Sequence, residues 1–229
     1  MLVAAADPFP SGWAAENLKP VGYSGLDGHG GAFKIVVRRA GDKWYAYLGH
    51  FWESGWIILD VTDAAKPLLF LHGEATGGGD QPDGTPKACT SPLAIAAMID
   101  IRNEARPRLM SLFPTPAPPK NLPYTDFCDK GGRFGPHNTN LEYHLPDVEK
   151  QGDLIYLTYF NAGLRLYDIK DPQLPKEVGW FVPPPPVKRY GLLPYDKLVS
   201  QTEDVLVDTR GNIYITDKNW GLFIIRQAR

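Results

Sequence analysis

The sequence predicts an all-β fold built from repeated four-stranded antiparallel units. The chain has 229 residues, of which 23 are Gly and 22 are Pro. This density of turn-forming residues predicts short strands joined by many turns. One hairpin pattern also recurs along the chain, which points to a repeat architecture. The hydrophobic content of 43% and the aromatic content of 12% provide a packed core and exclude a disordered chain.

Charge and hydropathy exclude several classes of function. The formal net charge of -2 argues against a nucleic-acid partner, which would favour a strong basic excess. No apolar run approaches the length of a transmembrane helix, so no transmembrane segment is expected. The first residues lack the features of a signal peptide, and the sequence leaves the compartment open. Cys89 and Cys128 form no CxxC pair, which disfavours a thiolate zinc site.

Three segments align around a glycine. They begin at Tyr47, Tyr156 and Tyr214, and each reads as a strand, a polar turn, a glycine and a second strand. This pattern is typical of a β-hairpin. Residues 60–67 and 168–175 then share the sequence Asp-x-x-Asp-x-x-x-Pro. The aspartates can cap a turn, and the proline ends the pairing before an outer strand begins.

A further strand precedes each hairpin, clearly at residues 32–37 and 202–208 and less clearly at 137–143. Four strands per unit, repeated around an axis, are typical of a β-propeller blade. We therefore predict a single β-propeller domain over residues 1–229. Its blades comprise residues 32–72, 93–113 in part, 135–182, and 201–226 together with 18–23.

The last unit lacks an outer strand of its own. Residues 18–23 resemble the outer-strand pattern of residues 174–180, so the N-terminal strand is predicted to complete the last blade and close the ring. The alternative is that Pro20 starts a surface loop. Residues 73–91 are rich in Gly, Thr and Pro where two more strands are expected. The propeller is therefore predicted to be incomplete or shortened, with irregular strands there or completion by a partner, including a homo-oligomer.

The repeated hairpin resembles the LVIVD repeat of bacterial β-propeller proteins. The likeness lies in the spacing of a glycine, an apolar pair, an aspartate and a proline, as at residues 163–175. The resemblance implies a propeller fold and covers most of the chain except residues 73–91. Members of that family are generally larger and often exported to the periplasm or secreted. The family has no single established reaction, so the resemblance implies little chemistry.

Residues that lead into the inner strands are candidates for a metal site. His29, His137, Glu203 and Asp204 would converge from separate blades at the central channel, and imidazole with carboxylate can hold Zn, Mn or Fe. Such a metal would polarise a carbonyl or activate water, with His50 or the remaining acid as a candidate catalytic base. The alternative is that the histidines bond to backbone in tight turns. Adjacent residues in a strand face opposite sides, so the two acids cannot act as one pair.

The turns between the middle strands are candidates for ligand binding. Trp52, Glu53, Asn161, Asn219 and Trp220 combine aromatic rings with polar groups that can stack on sugars or flat ligands. The alternative is that the aromatic rings pack between neighbouring blades.

Two functions remain open. The first is a binding or scaffold module for a protein partner or for a carbohydrate or other small-molecule ligand. The second is a metal-assisted hydrolase or lyase. The sequence contains neither a GxSxG motif nor a GxxxxGK[ST] phosphate loop.

Overall fold

The structure is a computed structural model that describes most of the chain. It covers residues 7–50, 56–60, 68–72, 96–100, 106, 108–140, 145–150, 152–192 and 197–228, with backbone alone at 56–60, 68–72, 99 and 128. Trp52, Glu53, Cys89, the side chain of Cys128 and the segment 73–91 lie outside this description, so the predictions made for them stay predictions.

Strands dominate the described part of the chain. They are β1 (Ala14–Glu16), β2 (Leu18–Ser24), β3 (Ala32–Ala40), β4 (Lys43–His50), β5 (Trp56–Asp60), β6 (Leu68–His72), β7 (Ala97–Asp100), β8 (Arg108–Leu112), β9 (Leu154–Thr158), β10 (Leu164–Asp168), β11 (Lys176–Val182), β12 (Thr202–Val207), β13 (Ile213–Asp217) and β14 (Leu222–Gln227). The described helices are short, a 3-10 turn at Leu26–Gly28 and the single α-helical turn α1 (Phe127–Lys130).

The strands form antiparallel sheets of the predicted kind. Sheet I has the order β3-β4-β5-β6, sheet II is β7-β8, sheet III is β9-β10-β11-β1, and sheet IV is β12-β13-β14-β2. The prediction of an all-β fold with four-stranded antiparallel units is confirmed. Sheet I matches the predicted unit 32–72 strand for strand.

The N-terminal segment contributes to two sheets. β2 pairs antiparallel with β14, from Leu222 opposite Ser24 to Gln227 opposite Leu18. This confirms that the N-terminal strand completes the last sheet, and the surface-loop alternative is wrong. β1 pairs with β11 at the outer edge of sheet III, which the sequence did not predict. A three-residue strand has no readable periodicity, and its formation follows from the need to cover an exposed edge.

Residues 137–139 of the predicted inner strand at 137–143 form a short pairing, and residues 141–143 lie outside the described part of the chain. Thr139 forms an isolated bridge with Leu157. The amide of His137 donates to the carbonyl of Thr158 at 2.8 Å, and the amide of Thr158 donates to the carbonyl of Asn138 at 2.8 Å. These bonds place residues 137–139 beside β9, on the side away from β10.

The glycine shared by the repeated hairpins has a packing role. A Cβ added at Gly163 would lie 2.1 Å from the carbonyl oxygen of Phe181, and one at Gly221 would lie 2.2 Å from that of Ser24. Both oxygens belong to the neighbouring outer strand, β11 in one case and β2 in the other. Gly163 also has a φ of +76°, which favours glycine. The repeat therefore keeps glycine where two backbones approach closely.

Three apolar clusters join the sheets. One packs Ile35 and Leu48 of sheet I against Leu206 of sheet IV, and a second packs Tyr156 of sheet III against Val205 of sheet IV. The third surrounds Phe127 and Tyr167 at sheet III and includes half-buried residues next to sheet II. Because β12 contacts both β3 and β9, sheet IV lies between sheets I and III.

Candidate functional site

The hairpin turns of sheets III and IV meet the segments that lead into β12 and β3 at one end of the structure, which we call the hairpin end. The amide of Thr202, at the start of β12, donates to the carbonyl of Phe160 at 3.0 Å. The amide of Lys218 donates to the carbonyl of Gln201 at 3.1 Å, and that of Gly31 donates to the carbonyl of Trp220 at 3.2 Å. These bonds bring the turns after β9 and β13 against the residues that lead into β12 and β3.

A buried ion pair lies beneath the hairpin end. The Nζ of Lys218 is 2.7 Å from Oε1 of Glu203, and the two side chains are 2% and 1% exposed. Burying two charges costs several kcal/mol per ion unless they are paired and hydrogen-bonded. Separating the two charges would leave each of them buried without a partner. The pair therefore holds the start of β12 against the turn after β13.

His137 lies above this pair, and one of its ring nitrogens is hydrogen-bonded to the protein. Its Nδ1 is 2.7 Å from the carbonyl oxygen of Glu203. A carbonyl oxygen only accepts, so Nδ1 carries a proton in this contact, and Nε2 is the acceptor of the neutral ring. The Asn138 amide nitrogen, which lies 3.1 Å from Nδ1, is also a donor and bonds to the same carbonyl at 3.0 Å. In the described part of the chain, this ring bonds to the protein through Nδ1. The side chain is 27% exposed, and Nε2 has no hydrogen bond to the described residues.

The aromatic ring of Phe160 lies among three polar side chains of the hairpin end. The His137 ring lies 4.4 Å from it, the guanidinium of Arg133 lies 4.6 Å from its centroid, and the Nζ of Lys218 lies 5.7 Å away. Phe160 adopts a φ of +44°, which is costly for a bulky residue. Such backbone conformations persist where surrounding contacts enforce them, and they cluster at functional sites.

A second pair of ionisable groups is buried behind this ring. Burial lowers the pKa of Lys130 to about 7, while Asp217 nearby acts in the opposite direction. Burial also raises the pKa of Asp217 to about 7, and backbone N–H donors and Lys130 oppose this rise. Lys130 donates to Ser200 Oγ at 3.0 Å. Perturbed groups of this kind are enriched at functional sites, although ion pairs that serve structure also produce them.

The predicted ligand residues Asn161 and Asn219 are buried and hold loops. The amide nitrogen of Asn161 donates to the carbonyls of Phe127 and Gly131 at 2.6 and 2.8 Å. The amide nitrogen of Asn219 donates to the carbonyl of Val199 at 2.9 Å. Both side chains therefore contribute to the rigidity of the hairpin end.

The predicted residues Trp220, His29 and His50 lie on the side toward sheet I. Trp220 is half-buried, and its Nε1 donates to the carbonyl of Pro184 at 2.9 Å. His50 is buried at the end of β4, and its ring lies 6.1 Å from that of His29 in an edge-to-face arrangement. The proline-rich segment 183–192 thus contacts the hairpin end through Trp220.

The predicted metal residues fall into three places. His137 and Glu203 lie together, with Nδ1 3.7 Å from Oε2. Asp204 faces the other side of β12, as adjacent strand residues must, and lies 3.6 Å from Lys34. Burial raises the pKa of Asp204, and Lys34 opposes this rise. His29 lies beside His50. Among the described residues, no group of three or more His, Cys, Asp and Glu side chains is arranged to hold a metal ion.

Several residues of the hairpin end carried no usable signal in the sequence. Lys218 lies in a hairpin turn that was singled out for its tryptophan and asparagine, and its partner Glu203 is distant in sequence. Lys130, Arg133 and Asp217 belong to no spaced motif. Their juxtaposition depends on how sheets III and IV pack, which single-sequence patterns do not encode.

Comparison with known proteins identifies no family for this chain. No protein-family model matches the chain, and no curated protein sequence matches it significantly. The resemblance to the LVIVD repeat therefore stays a prediction. Across the residues that the structure describes, the helices are too short to cross a membrane.

Proposed function

We propose that the chain is a β-propeller binding module whose hairpin end recognises a protein or carbohydrate partner. The four sheets would be the blades in chain order. Contacts between sheets II and III, III and IV, and IV and I supply three of the four neighbour relations in such a ring. The ring would close between sheets I and II, as in the LVIVD propellers that the repeat resembles.

One observation carries the binding proposal. His137 presents Nε2 at the surface while its Nδ1 is fixed by the carbonyl of Glu203 at 2.7 Å, over a buried ion pair. Arg133 lies on the same Phe160 ring and is half-buried. An acceptor and a forked donor held on a rigid base suit a partner that offers hydroxyl or carboxylate groups. Little ordering entropy would be lost on binding, because the groups are already fixed.

The test compares the wild type with Arg133→Gln/His137→Ala. Each protein is applied to a glycan array, and each is used for affinity purification of protein partners. We expect binding to one glycan class or one protein by the wild type and at least a tenfold loss in the double variant, with its melting temperature preserved. A Lys188→Gln variant, changed at an exposed position, serves as the control. A partner that binds both proteins equally would contradict the proposal.

The alternative is a metal-assisted hydrolase or lyase. It is favoured by the arrangement of His137, whose Nδ1 bond to a carbonyl is the usual support for a metal-ligating Nε2. Glu203 or Asp204 and His29 would complete the site for Zn, Mn or Fe, with His50 as base. Elemental analysis of untagged protein tests this. One equivalent of metal in the wild type that is lost in His137→Ala would support it, and no metal in either protein would oppose it.

A homo-oligomer through the incomplete blade is a separate proposal. Leu109 and Leu112 of the two-stranded sheet II are 63% and 52% exposed. Light scattering should then give a multiple of the 25.4 kDa chain mass, reduced to one chain in Leu112→Glu. A monomeric wild type would oppose it.

A further inference from the structure

A cleft lies between sheets III and IV at the end opposite the hairpin end. Its volume is about 380 Å³, and it is lined by Lys19, Glu149, Tyr156, Arg210, Arg226 and Gln227. Arg210 belongs to the turn between β12 and β13, which is the far end of these strands. Small-molecule sites commonly have volumes of about 300 to 1,000 Å³, so the cleft accommodates a small organic ligand.

The cationic side of the cleft carries uncompensated charge. Lys19 and Arg226 are direct cross-strand partners on β2 and β14. Like charges opposite each other in a ladder destabilise a sheet. Arg210 differs, because its Nη2 is 2.8 Å from the buried Oδ2 of Asp208. In the described part of the chain, neither Lys19 nor Arg226 forms an ion pair with a carboxylate.

Arg226 is held in position to bind an anion. Its Nε donates to Oδ1 of Asn212 at 2.6 Å. Asn212 is buried and bonds in turn to Asp208 at 3.0 Å. The described residues leave both Nη groups of Arg226 without a protein acceptor. A guanidinium whose two Nη groups have no protein acceptor offers two parallel donors, which match the geometry of a carboxylate.

The opposite side of the cleft carries the carboxylate of Glu149, a hydrogen-bond acceptor that is held in place by its neighbours. The amide of Gln227 donates to the Tyr156 hydroxyl at 3.2 Å, and that hydroxyl donates to Oε1 of Glu149 at 3.2 Å. The backbone of Glu149 is fixed to Val207 at 2.8 Å and to Asn140 at 3.0 Å. A carboxylate in this place accepts hydrogen bonds from hydroxyl groups and repels a second anionic group.

We propose that this cleft binds a small monocarboxylate that carries hydroxyl groups, such as a sugar acid or a hydroxy acid. Its carboxylate would lie on Lys19 and Arg226, and a hydroxyl group would donate to Glu149. This site lies away from the hairpin end and does not depend on the function proposed there.

Isothermal titration calorimetry of the full chain tests the proposal in phosphate-free buffer of low salt. The probes are D-glucuronate, D-gluconate and L-lactate, with D-glucose as the neutral match to glucuronate and inorganic phosphate as a bare oxyanion. We expect at least one hydroxylated carboxylate to bind at least tenfold more tightly than glucose and phosphate. Added salt should weaken this binding, because screening reduces the attraction between exposed charges.

Three single variants test whether the carboxylate probes bind in this cleft. Lys19→Gln removes an exposed charge and should weaken binding about threefold to fivefold, in line with exposed ion pairs. Arg226→Gln should weaken it at least tenfold, since a bidentate charged contact is lost. Lys170→Gln, at an exposed site elsewhere, should bind like the wild type. The Lys19 side chain has no hydrogen bond within the described residues, so Lys19→Gln still tests the site if Arg226→Gln proves unstable.

Three results would overturn the assignment. The first is the absence of heat with all three hydroxylated carboxylates at millimolar concentration. The second is equal or tighter binding of glucose or phosphate. The third is binding that survives both charge-removing variants unchanged. His137→Ala should leave binding in the cleft unaltered, so a failure here and a failure at the hairpin end can be told apart.

Discussion

Replacing Asp217 with asparagine should stabilise the protein at neutral pH. Asp217 is fully buried, and Oδ1 accepts from the amide of Asn219 at 2.9 Å while the Thr202 hydroxyl lies 3.5 Å from Oδ2. Asparagine has the same shape, and its Oδ1 can accept the same backbone bond. The variant therefore removes the buried charge and keeps the packing.

The expected size of the effect follows from the pKa of Asp217. Burial raises this pKa from 3.8 to about 7. Between these values the folded protein holds a proton that the unfolded chain has lost, so the free energy of unfolding falls as pH rises. The difference corresponds to about 4 kcal/mol at pH 7. An asparagine side chain has no proton to lose over this range, so this part of the pH dependence should disappear in the variant.

Lys130 contributes with the opposite pH dependence. Burial lowers its pKa to about 7, so above that pH the unfolded chain holds the additional proton and the free energy of unfolding rises with pH. Without the Asp217 charge, which supports the protonated form, the pKa of Lys130 should fall further. The rise on the alkaline side should therefore persist in Asp217→Asn.

Urea unfolding followed by tryptophan fluorescence at about pH 4, 7 and 9 measures the contributions of Asp217 and Lys130 to the free energy of unfolding. Relative to wild type, Asp217→Asn should gain about 2 to 4 kcal/mol between pH 4 and pH 7. Asp42→Asn, at a fully exposed position, should parallel the wild type throughout. If Asp217→Asn has the same slope as the wild type over the acidic range, or is less stable at pH 7, the reasoning is wrong.

Two further substitutions test the packing of the hairpin end. Lys218→Met should lower the free energy of unfolding by about 3 to 5 kcal/mol, because it leaves the Glu203 carboxylate buried without its partner. Adding Glu203→Leu should recover most of the loss in the same denaturation assay, and a double variant no better than the single one would count against the charge argument. Gly221→Ala places a Cβ 2.2 Å from the Ser24 carbonyl oxygen and should cost more than about 2 kcal/mol in thermal unfolding. Gly49→Ala, with nothing within 4 Å, should stay within about 0.5 kcal/mol, and equal losses would refute the packing role of the repeat glycine.

The hairpins were predictable because their signals are local. Glycine, aspartate and proline act through the residues next to them, so spacing alone identified β4 with β5, β9 with β10 and β13 with β14. The pairing of β2 with β14 was also predictable, since the last unit lacked an outer strand. β1 was not, because three residues are too few to show a period.

The candidate site was predictable only in part. His137 and Glu203 were found because residues that lead into inner strands were expected to converge, and the structure brings them within 3.7 Å. The ion pair with Lys218 and the perturbed groups Lys130 and Asp217 depend on contacts between different sheets. Burial of this kind has no sequence period, so charge and spacing alone would have left these residues at the surface.

The segment that holds β1 and β2 links early and late steps of folding. These strands leave the ribosome before the other strands described, but the partner of β2 is β14, which follows all of them in the chain. During synthesis, sheet IV therefore cannot acquire its outer strand until β14 has emerged. β1 can already cover the edge of sheet III once β11 has emerged, so this segment is paired with one sheet while its second strand waits for β14. The nascent chain should remain open to chaperones until then and become resistant to proteases abruptly once β14 is free to pair.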